Sequence, residues 1–431
     1  MIERYTREKM GSIWSEKAKF DRWLKVEIAV VRGWEAIGEI PKGTADKIEK
    51  NARFDIERIN EIEKITRHDV VAFLEAVKES LKEEGDYLHF GITSSDTIDT
   101  AMALALKESA DIIIDDLKEL LKTLKERAFE FKDTLMIGRS HGIHGEPITF
   151  GFVLALWYDE MKRNLKRMQE AKEIISVGKI SGSMGTFANV PVEVEEYACK
   201  ILGLKPALVS SQIIQRDRYA HYMTTLAIIA SSIEKIATQI RHYQRTEVRE
   251  AEEFFHKGQK GSSSMPHKRN PVLSENLCGL ARLVRANSIA ALENVALWHE
   301  RDISHSSNER IILPDANIAL DFMLYRLNNV IKNLTVYKEN MLKNLNLTRG
   351  VIYSQRLMLN LVKRGANKIL AYEAVQKNAM DSWENNKDFK QLVLNDPYIN
   401  SFMSKDEIDN CFDPKYYTRN IDVIFKRVFD D

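Results

Sequence analysis

Long stretches of this chain contain no proline and carry apolar residues at helical spacing, and this feature constrains the fold most. No proline lies within 207–265, 272–313 or 315–396. In the first stretch the apolar positions recur at threes and fours, namely Ile214, Tyr222, Leu226, Ile229, Ile233 and Ile240. That period predicts amphipathic helices. Helices of this length must bury their apolar faces on one another, so we expect an all-α protein built around a bundle of long helices.

The same patterns predict where the elements and domains lie. We expect one helix from Ser210 to Glu252 and others near 102–131, 146–176, 272–298 and 315–346. No alternating run predicts a strand of any length. The 431 residues exceed what one core usually serves. We therefore expect three helical domains, at 1–110, 111–363 and 364–431. Some long helices are apolar around most of their circumference, which favours an oligomer.

Charge and cysteine usage narrow the class of protein. Lys plus Arg and Asp plus Glu both number 63, so the net charge is zero and gives no general argument for nucleic acid or a membrane surface. The three cysteines form no C-x-x-C pair, which favours a reducing compartment and no zinc site. The first five residues lack the apolar segment of a signal peptide. The uncharged run 221–233 is too short to span a bilayer. We expect a cytoplasmic protein.

The segment 261–271, Gly-Ser-Ser-Ser-Met-Pro-His-Lys-Arg-Asn-Pro, concentrates polar chemistry between two long helices. Its serines offer hydroxyls, and Lys268 and Arg269 add two positive charges. Asn270 before Pro271 is typical of an N-cap followed by a proline at the first helical position. A helix N-terminus favours anions. A plain connector is the alternative, but connectors seldom concentrate such groups.

Two further helix entrances carry histidines. Thr66 and Asp69 have the spacing of a capping box, which would place Arg67 and His68 in the first helical turn. The alternative is a capped helix whose charged side chains face solvent.

The second entrance follows His89. Thr93 and Asp96 again have capping-box spacing, and the apolar run 101–106 continues as a helix. His89 and the hydroxyls of Thr93 and Ser94 would then lie at the start of this helix.

Two other polar segments separate long helices. His141 and His144 lie within the glycine-rich segment 139–147, which is compatible with a metal site, a structural loop or an acid/base site. In the segment 298–310, guanidinium groups and a hydroxyl suit phosphate oxygens, so Arg301, Ser306 and Arg310 are candidates for a phosphate clamp.

The segment 261–271 closely resembles the signature loop of the fumarase/aspartase superfamily, G-S-S-x-M-P-x-K-x-N-P. Its residues M-P-H-K-R-N-P resemble those of the adenylosuccinate lyase family within it. Ser140-His141, Thr93-Ser94 and the segment 298–310 also resemble that family, in the same order, so the resemblance spans nearly the whole chain. Departures are small: Ser140 replaces the usual threonine, Gly145 a common alanine, and Ser183-Met184 a common Ala-Val pair.

The resemblance implies two β-eliminations of purine synthesis. Adenylosuccinate would give AMP and fumarate, and succinylaminoimidazole-carboxamide ribotide would give its carboxamide and fumarate. By family position Ser262 is the base and His141 the acid, while Glu275 orients His141. Lys268 and nearby N–H groups would make the serine a better base as the loop closes. The sequence leaves open whether Ser262 or Ser263 takes the proton.

The resemblance also implies substrate contacts and an assembly. The succinyl carboxylates would be held by Lys268, Asn270, Thr93, Ser94 and Ser263, with His68, His89, Gln212 and Asn276 near the same end and Arg269 in the same loop. The phosphate would be held by Arg4, Tyr5, Arg301, Ser306 and Arg310, and the nucleotide by Arg67 and Asp69. A homotetramer with each site built from three subunits is expected. The substrate carries its own electron sink, so no metal or organic cofactor is implied, and no nucleic-acid or membrane partner.

Two alternatives compete with this interpretation. Argininosuccinate lyase, in the same superfamily, has no need of a phosphate clamp. A crystallin-like structural protein would keep the bundle without catalysis, yet Ser262, His141, Lys268 and Glu275 are all present.

Overall fold

A computed structural model of the chain describes residues 1–256, 258, 261–262 and 264–430, and it is mostly helical. In chain order its α-helices are α1 (Glu8–Ile13), α2 (Glu16–Ala36), α3 (Thr44–Asn51), α4 (Ile56–Thr66), α5 (Asp69–Lys78), α6 (Ser94–Glu130), α7 (Phe150–Ile175), α8 (Val192–Leu202), α9 (Asp217–Gln244), α10 (Val272–Glu293), α11 (Ser304–Lys332), α12 (Lys338–Leu345), α13 (Ser354–Lys363), α14 (Lys368–Asn385), α15 (Phe389–Leu394), α16 (Pro397–Asn400), α17 (Lys405–Cys411), α18 (Lys415–Thr418) and α19 (Ile421–Phe429). The strands are β1 (Leu135–Ser140), β2 (Ile143–Thr149), β3 (Val177–Gly178), β4 (Lys205–Pro206), β5 (Ala251–Glu252) and β6 (Thr335–Val336), and short 3₁₀ helices lie at Glu3–Tyr5, Glu83–Tyr87 and Val351–Tyr353.

The chain forms two compact units, each made of three segments. The first unit comprises Met1–Glu119, Lys162–Glu234 and Asn276–Arg326, and the second comprises Leu120–Met161, Lys235–Glu275 and Leu327–Asp431. The long helices run through both units, so these units do not correspond to the three predicted domains. The division at 110 and 363 stays a proposal.

The short helices of the first unit pack around an aromatic cluster. Phe20 stacks on Phe73 with ring centroids 5.6 Å apart, and Trp23 meets both rings edge-on. All three side chains are buried. Ser15 caps α2 by accepting a hydrogen bond from the Ala18 N–H at 3.2 Å. The predicted period of α2 therefore places its apolar stripe on this core.

The long helices are joined by buried polar contacts as well as apolar packing. Tyr222 on α9 is fully buried and donates its hydroxyl to Asn317 Oδ1 of α11 at 2.6 Å. The same hydroxyl lies 3.3 Å from the Leu106 carbonyl of α6. A buried phenol requires such partners. These contacts, with Asn164 of α7 donating to Ser232 of α9 at 2.9 Å, confirm the expected association of long helices.

The predicted single helix from Ser210 to Glu252 is wrong at both ends, because α9 covers Asp217–Gln244. Before it, backbone groups bond elsewhere: the Ile214 N–H donates to Asp99 Oδ2 at 2.9 Å. After it, the Gln244 side chain accepts from the Glu253 N–H at 3.1 Å. A side chain that accepts from a backbone N–H competes with helix formation at that residue.

The predicted helix bounds around Pro314 are also wrong. A helix was expected at 315–346, but α11 covers Ser304–Lys332 with Pro314 inside it, and α12 follows separately. An internal proline costs about 3 kcal/mol. The buried side chains of Leu313, Asn317 and Leu320 offset that cost. The helix predicted at 272–298 ends earlier, at Glu293.

The absence of strands was a further wrong expectation. Strands β1 and β2 form an antiparallel hairpin, with Leu135 opposite Thr149 and Ser140 opposite Ile143. The loop of this hairpin is His141-Gly142, whose φ angles are 56° and 80°. Two-residue hairpin loops favour positive φ at both positions. The helix predicted from 146 therefore begins only at Phe150.

Within the second unit, the C-terminal helices have a small core of their own. Leu357, Leu361, Phe389 and Ile408 are fully buried there. Ser404 and Glu407 form a reciprocal capping box at the start of α17. Across the described part of the chain, none of the helices has the length and apolar character that a bilayer span requires.

Candidate active site

His141 lies at the tip of the β1–β2 hairpin in the second unit. Its side chain is exposed and its backbone is left-handed. Gly142 follows it at φ 80°, a conformation that favours glycine. The hairpin thus presents an imidazole on a tight turn, which suits a proton donor that must reach a ligand.

A buried ion pair fixes the hairpin beneath this tip. The Arg139 guanidinium donates to both carboxylate oxygens of Glu250, at 2.8 and 2.7 Å. Glu250 is fully buried and also accepts from Asn344 at 2.9 Å. Burial, and then the charge of Arg139, lower the pKa of the nearby His144. A bidentate pair of this kind restricts the hairpin in position and orientation.

Ser262 lies in the described part of the 261–271 loop and is half-buried. Its Oγ accepts two backbone hydrogen bonds, from the Ser264 N–H at 3.2 Å and the Met265 N–H at 3.1 Å. Donors aimed at one oxygen stabilise negative charge on it. Ser263, the other candidate base, lies outside the described residues.

The start of α10 differs from its prediction. Asn270 was expected as the N-cap and Pro271 as the first helical residue, but α10 begins at Val272. The carboxylate of Glu253 accepts from the N–H groups of residues 273 and 274, at 3.1 and 2.6 Å. Asn270 instead donates its side-chain amide to the Gly261 carbonyl at 3.1 Å. Asn270 therefore closes the base of the loop, and an acidic side chain caps the helix.

The charged candidates of the loop and of the helix after it differ in their contacts. Lys268 in the loop and Glu275 on α10 are exposed. Arg269 is engaged within the second unit, because its guanidinium donates to Glu252 at 2.8 Å and lies over the Phe255 ring. Of the two predicted positive charges of the loop, Lys268 is exposed to a ligand, and Arg269 is paired with an acid.

In the first unit, His89 is held by an acid that the motifs did not include. His89 Nδ1 lies 2.8 Å from Glu27 Oε1, and the His89 N–H donates to Glu27 Oε2 at 2.8 Å. Thr93 and Ser94, both half-buried, follow at the start of α6. Asp96 accepts from the Thr93 N–H at 2.8 Å, as the predicted capping-box spacing implies.

The capping box predicted at Thr66 is wrong. Arg67 ends α4 in a left-handed conformation with φ 54°, and His68 is the N-cap of α5, accepting from the Val71 N–H at 3.4 Å. Arg67 and His68 are both exposed. The reason is local: the Thr66 hydroxyl donates back to the Ile62 carbonyl, at 3.2 Å, so it continues α4.

The three residues of the predicted phosphate clamp line one cavity. Arg301, Ser306 and Arg310 face a space of about 330 Å³ in the first unit. Arg310 Nε lies 3.4 Å from Ser306 Oγ, one helical turn away. Arg301 donates to Gln212 Oε1 at 3.2 Å, while its buried Nε has no hydrogen-bond partner among the described residues. Cationic donors converging on one space form an anion site.

Asp69 and Lys19 modify the charge of this cavity. Arg310 donates to Asp69 Oδ2 at 2.6 Å. Burial opposes ionisation of Asp69, but the hydrogen bond and charge of Arg310 hold its pKa below the usual range. Lys19 also lines the cavity, and burial, followed by the charge of Arg310, lowers its pKa. No motif in the sequence pointed to Lys19.

A buried charge network forms another wall of the cavity. Arg216 donates to both oxygens of Asp99, at 2.8 and 2.9 Å, and to Glu309 at 3.0 Å. Burial, opposed by Arg216, raises the pKa of Glu309 to about 7. Burial, reinforced by Arg216, lowers the pKa of His305 to about 4. This network fixes the two helices α9 and α11 in relation to α6.

Arg4 and Tyr5 do not line the cavity. Tyr5 meets Phe322 edge-on and accepts a hydrogen bond from Asn276 at 3.4 Å. Arg4 is exposed. Their predicted contact with phosphate stays a prediction. Across the described residues, no group of three His, Cys, Asp or Glu side chains has a metal-binding arrangement.

Known proteins resemble the chain along its whole length. The family described as Lyase matches residues 3–286, and the one described as Adenylosuccinate lyase C-terminus matches residues 350–428. The adenylosuccinate lyase of Helicobacter pylori strain 26695 is 56% identical, over 100% of both chains. That of Bacillus subtilis strain 168 is 54% identical, over 99% of both.

Solved structures share the fold at lower identity. A fumarate lyase from Mesorhizobium sp. BNC1 matches with a TM-score of 0.91 at 24% identity, over 99% of both chains. A 3-carboxy-cis,cis-muconate lactonizing enzyme from Pseudomonas putida matches with 0.88 at 25% identity, over 98% of this chain and 96% of that one. The predicted family is confirmed: the chain belongs to the adenylosuccinate lyase family.

Proposed function

We propose that the protein cleaves adenylosuccinate into AMP and fumarate, and likewise releases fumarate from succinylaminoimidazole-carboxamide ribotide. The observation that carries this proposal is the identity of 56 and 54% to curated adenylosuccinate lyases, over at least 99% of the chain. Both substrates are small molecules. The three cysteines are buried and form no disulfide, which suits a reducing compartment such as the cytoplasm.

The chemistry is a β-elimination that breaks a C–N bond. Ser262 removes a proton from the carbon next to a carboxylate, the electron pair forms the double bond of fumarate, and His141 protonates the departing nitrogen. The two N–H groups on Ser262 Oγ support this role, because they stabilise the alkoxide. Lys268 and Asn270 would hold a carboxylate, and Glu275 would orient His141.

The cavity in the first unit would take the 5′-phosphate. Arg301, Ser306 and Arg310 supply two guanidinium forks and a hydroxyl to one space. Lys19 adds a fourth polar group to the lining of the same space. Burial and then the charge of Arg310 lower the pKa of Lys19, and a dianion in the cavity would offset this repulsion between the two cations.

We also propose a homotetramer in which each site draws residues from three subunits. Large apolar side chains stand exposed on the long helices, including Ile228, Leu283, Ile289, Leu292, Ile311 and Tyr325. A second copy would bury them. Mixing two inactive variants, Ser262→Ala and His141→Gln, tests the sharing: restored activity supports it, and an inactive mixed tetramer refutes it.

The direct test is turnover. Purified protein is given adenylosuccinate, and the absorbance change of the purine is followed. Conversion to AMP and fumarate supports the proposal, and no conversion refutes it. Argininosuccinate is the matched control substrate, and its cleavage in place of adenylosuccinate would favour the rival lyase.

A further inference from the structure

Glu27 is a fully buried carboxylate in the middle of α2. Its neighbours on the same helix face, Trp23, Val30 and Trp34, are apolar and buried. Removing a carboxylate from water is costly unless it is well hydrogen-bonded. An acid in such a place is therefore a candidate for a specific task.

Three donors converge on this carboxylate, and two come from His89. The His89 N–H donates to Oε2 at 2.8 Å, and His89 Nδ1 lies 2.8 Å from Oε1. The Thr97 hydroxyl donates to Oε1 at 2.6 Å. An ionised carboxylate only accepts hydrogen bonds, so His89 Nδ1 carries the proton. Nε2 is then the nitrogen that can meet a ligand.

Helix α2 also holds the backbone around this histidine. His89 adopts a left-handed conformation with φ 62°. Trp34, two turns from Glu27 on the same face, donates its indole N–H to the Phe90 carbonyl at 3.1 Å. Gly91 has φ 76°, and a Cβ there would lie 2.5 Å from the Asn189 carbonyl oxygen. The short segment from His89 to Thr93 therefore has one conformation, set largely by α2.

We propose that Glu27 is a positioning residue for catalysis: it holds the His89 imidazole with Nδ1–H toward α2 and Nε2 toward the substrate, and it favours the imidazolium form. This rests on the proposed function, in which His89 lies near the succinyl end of the substrate. A neutral imidazole held this way offers Nε2 only as an acceptor. The imidazolium offers a donor, which a substrate carboxylate requires.

The charges around His89 favour that form. Burial opposes it, but the hydrogen bond and charge of Glu27 raise the pKa of His89, with Asp96 adding to the rise and Lys78 opposing it. At metal sites, an acid often orients a histidine through its second ring nitrogen, and loss of that acid typically costs about 10–100-fold in metal affinity or activity. We expect a loss of activity of similar size here, because the acid acts on the ring in the same way.

Glu27→Gln tests the role, because glutamine has one acceptor where glutamate has two. The amide oxygen would take the His89 N–H, and the amide NH₂ would face Nδ1. Nδ1 must then accept, so the proton of the neutral ring moves to Nε2. We expect the pKa of His89 to fall by about one unit or more. The variant ring then donates from Nε2 without a positive charge, so its hydrogen bond to a substrate carboxylate is weaker. We expect kcat/KM to fall about tenfold at neutral pH, and the loss to be smaller at lower pH, where the ring is protonated.

Two controls separate this role from simple stability. Thr97→Val removes a donor to Glu27 but keeps the charge, so the pKa of His89 should change less than in Glu27→Gln. In a His89→Gln background, Glu27→Gln should cost little further activity, because both act through one interaction. The pKa is measured by NMR on the wild-type and variant enzymes with ¹³C-labelled histidine, and the His89 signal is the one lost in His89→Gln.

An unchanged His89 pKa in Glu27→Gln would overturn the proposal, as would activity losses that add fully to those of His89→Gln. The titration needs no substrate. A wild-type protein that converts no adenylosuccinate would instead refute the proposed function.

Discussion

Replacing Lys179 with methionine should destabilise the first unit by about 3 kcal/mol. Lys179 and Asp96 form an ion pair whose side chains are both 0% exposed. Methionine keeps most of the apolar stem but leaves the carboxylate without its cation. Removing one partner of a buried pair typically costs about 3–5 kcal/mol.

We expect a loss of stability at the lower end of that range, because Asp96 keeps other hydrogen-bond partners. Its carboxylate still accepts from the N–H groups of Thr93, Ser181 and Gly182, at 2.8, 3.1 and 3.2 Å. It also lies in the first turn of α6, where negative charge is favoured. Against this, the lost bond from Lys179 to the Gly182 carbonyl, 2.9 Å long, adds about 1 kcal/mol.

Urea unfolding, followed by circular dichroism, measures the change. Amide exchange of segment 178–190 is measured in parallel, because a chain with two units need not unfold in one step. Lys205→Met is the matched control: Lys205 pairs with Glu173 at 3.0 Å, but their side chains are 73% and 71% exposed. The free energy of unfolding of that variant should fall by at most about 1 kcal/mol.

A double variant provides a second test of the same argument. Adding Asp96→Asn to Lys179→Met should recover part of the loss, because no buried charge remains. If Lys179→Met behaves like Lys205→Met, the argument from buried charge is refuted.

Three other outcomes can be tested. Ser262→Ala should lower kcat by about 10²–10⁴-fold, since it removes the proposed base. Ser264→Ala, at an exposed position two residues further on, should keep kcat within about tenfold of the wild-type value, and steady-state kinetics that reverse this order would contradict the assignment of Ser262 as the base. Arg301→Ala or Arg310→Ala should lower kcat/KM for adenylosuccinate more than about tenfold, as each removes a charge-assisted bond to phosphate; a smaller loss would favour argininosuccinate as substrate. Glu309 has a folded pKa of about 7, above its ordinary value of 4.5, so the folded state binds the extra proton and stability should fall as pH rises from about 4.5 to 7; Glu309→Gln should flatten this slope in urea unfolding at several pH values, and an unaltered slope would contradict the shift.

The long helices and the signature loop at 261–271 could be predicted because both depend on residues close together in the chain. On α9, Tyr222, Leu226, Ile229, Ile233 and Ile240 are all fully buried, as their spacing predicted. The segment 261–271 resembles the signature loop of the family to which the chain belongs. The residues that form a helical face or a signature loop lie near one another in the chain, so a single sequence is enough to recognise them.

The hairpin that carries His141 was missed because its stability is not local. Two short strands are marginal alone. Arg139 must bond Glu250, 111 positions away. Helix ends were misplaced for the same reason: Ile214 donates to Asp99 across 115 positions instead of continuing α9.

By itself, therefore, the sequence determined the helical class, the family and most candidate residues, because period and motif act over a few neighbours. Only the tertiary structure decided which charges are buried together: Glu27 with His89, Lys179 with Asp96, and Arg216 with Asp99. The physical reason is that a charge can be buried only beside its partner, and that partner is chosen by packing, at separations along the chain that no local pattern encodes.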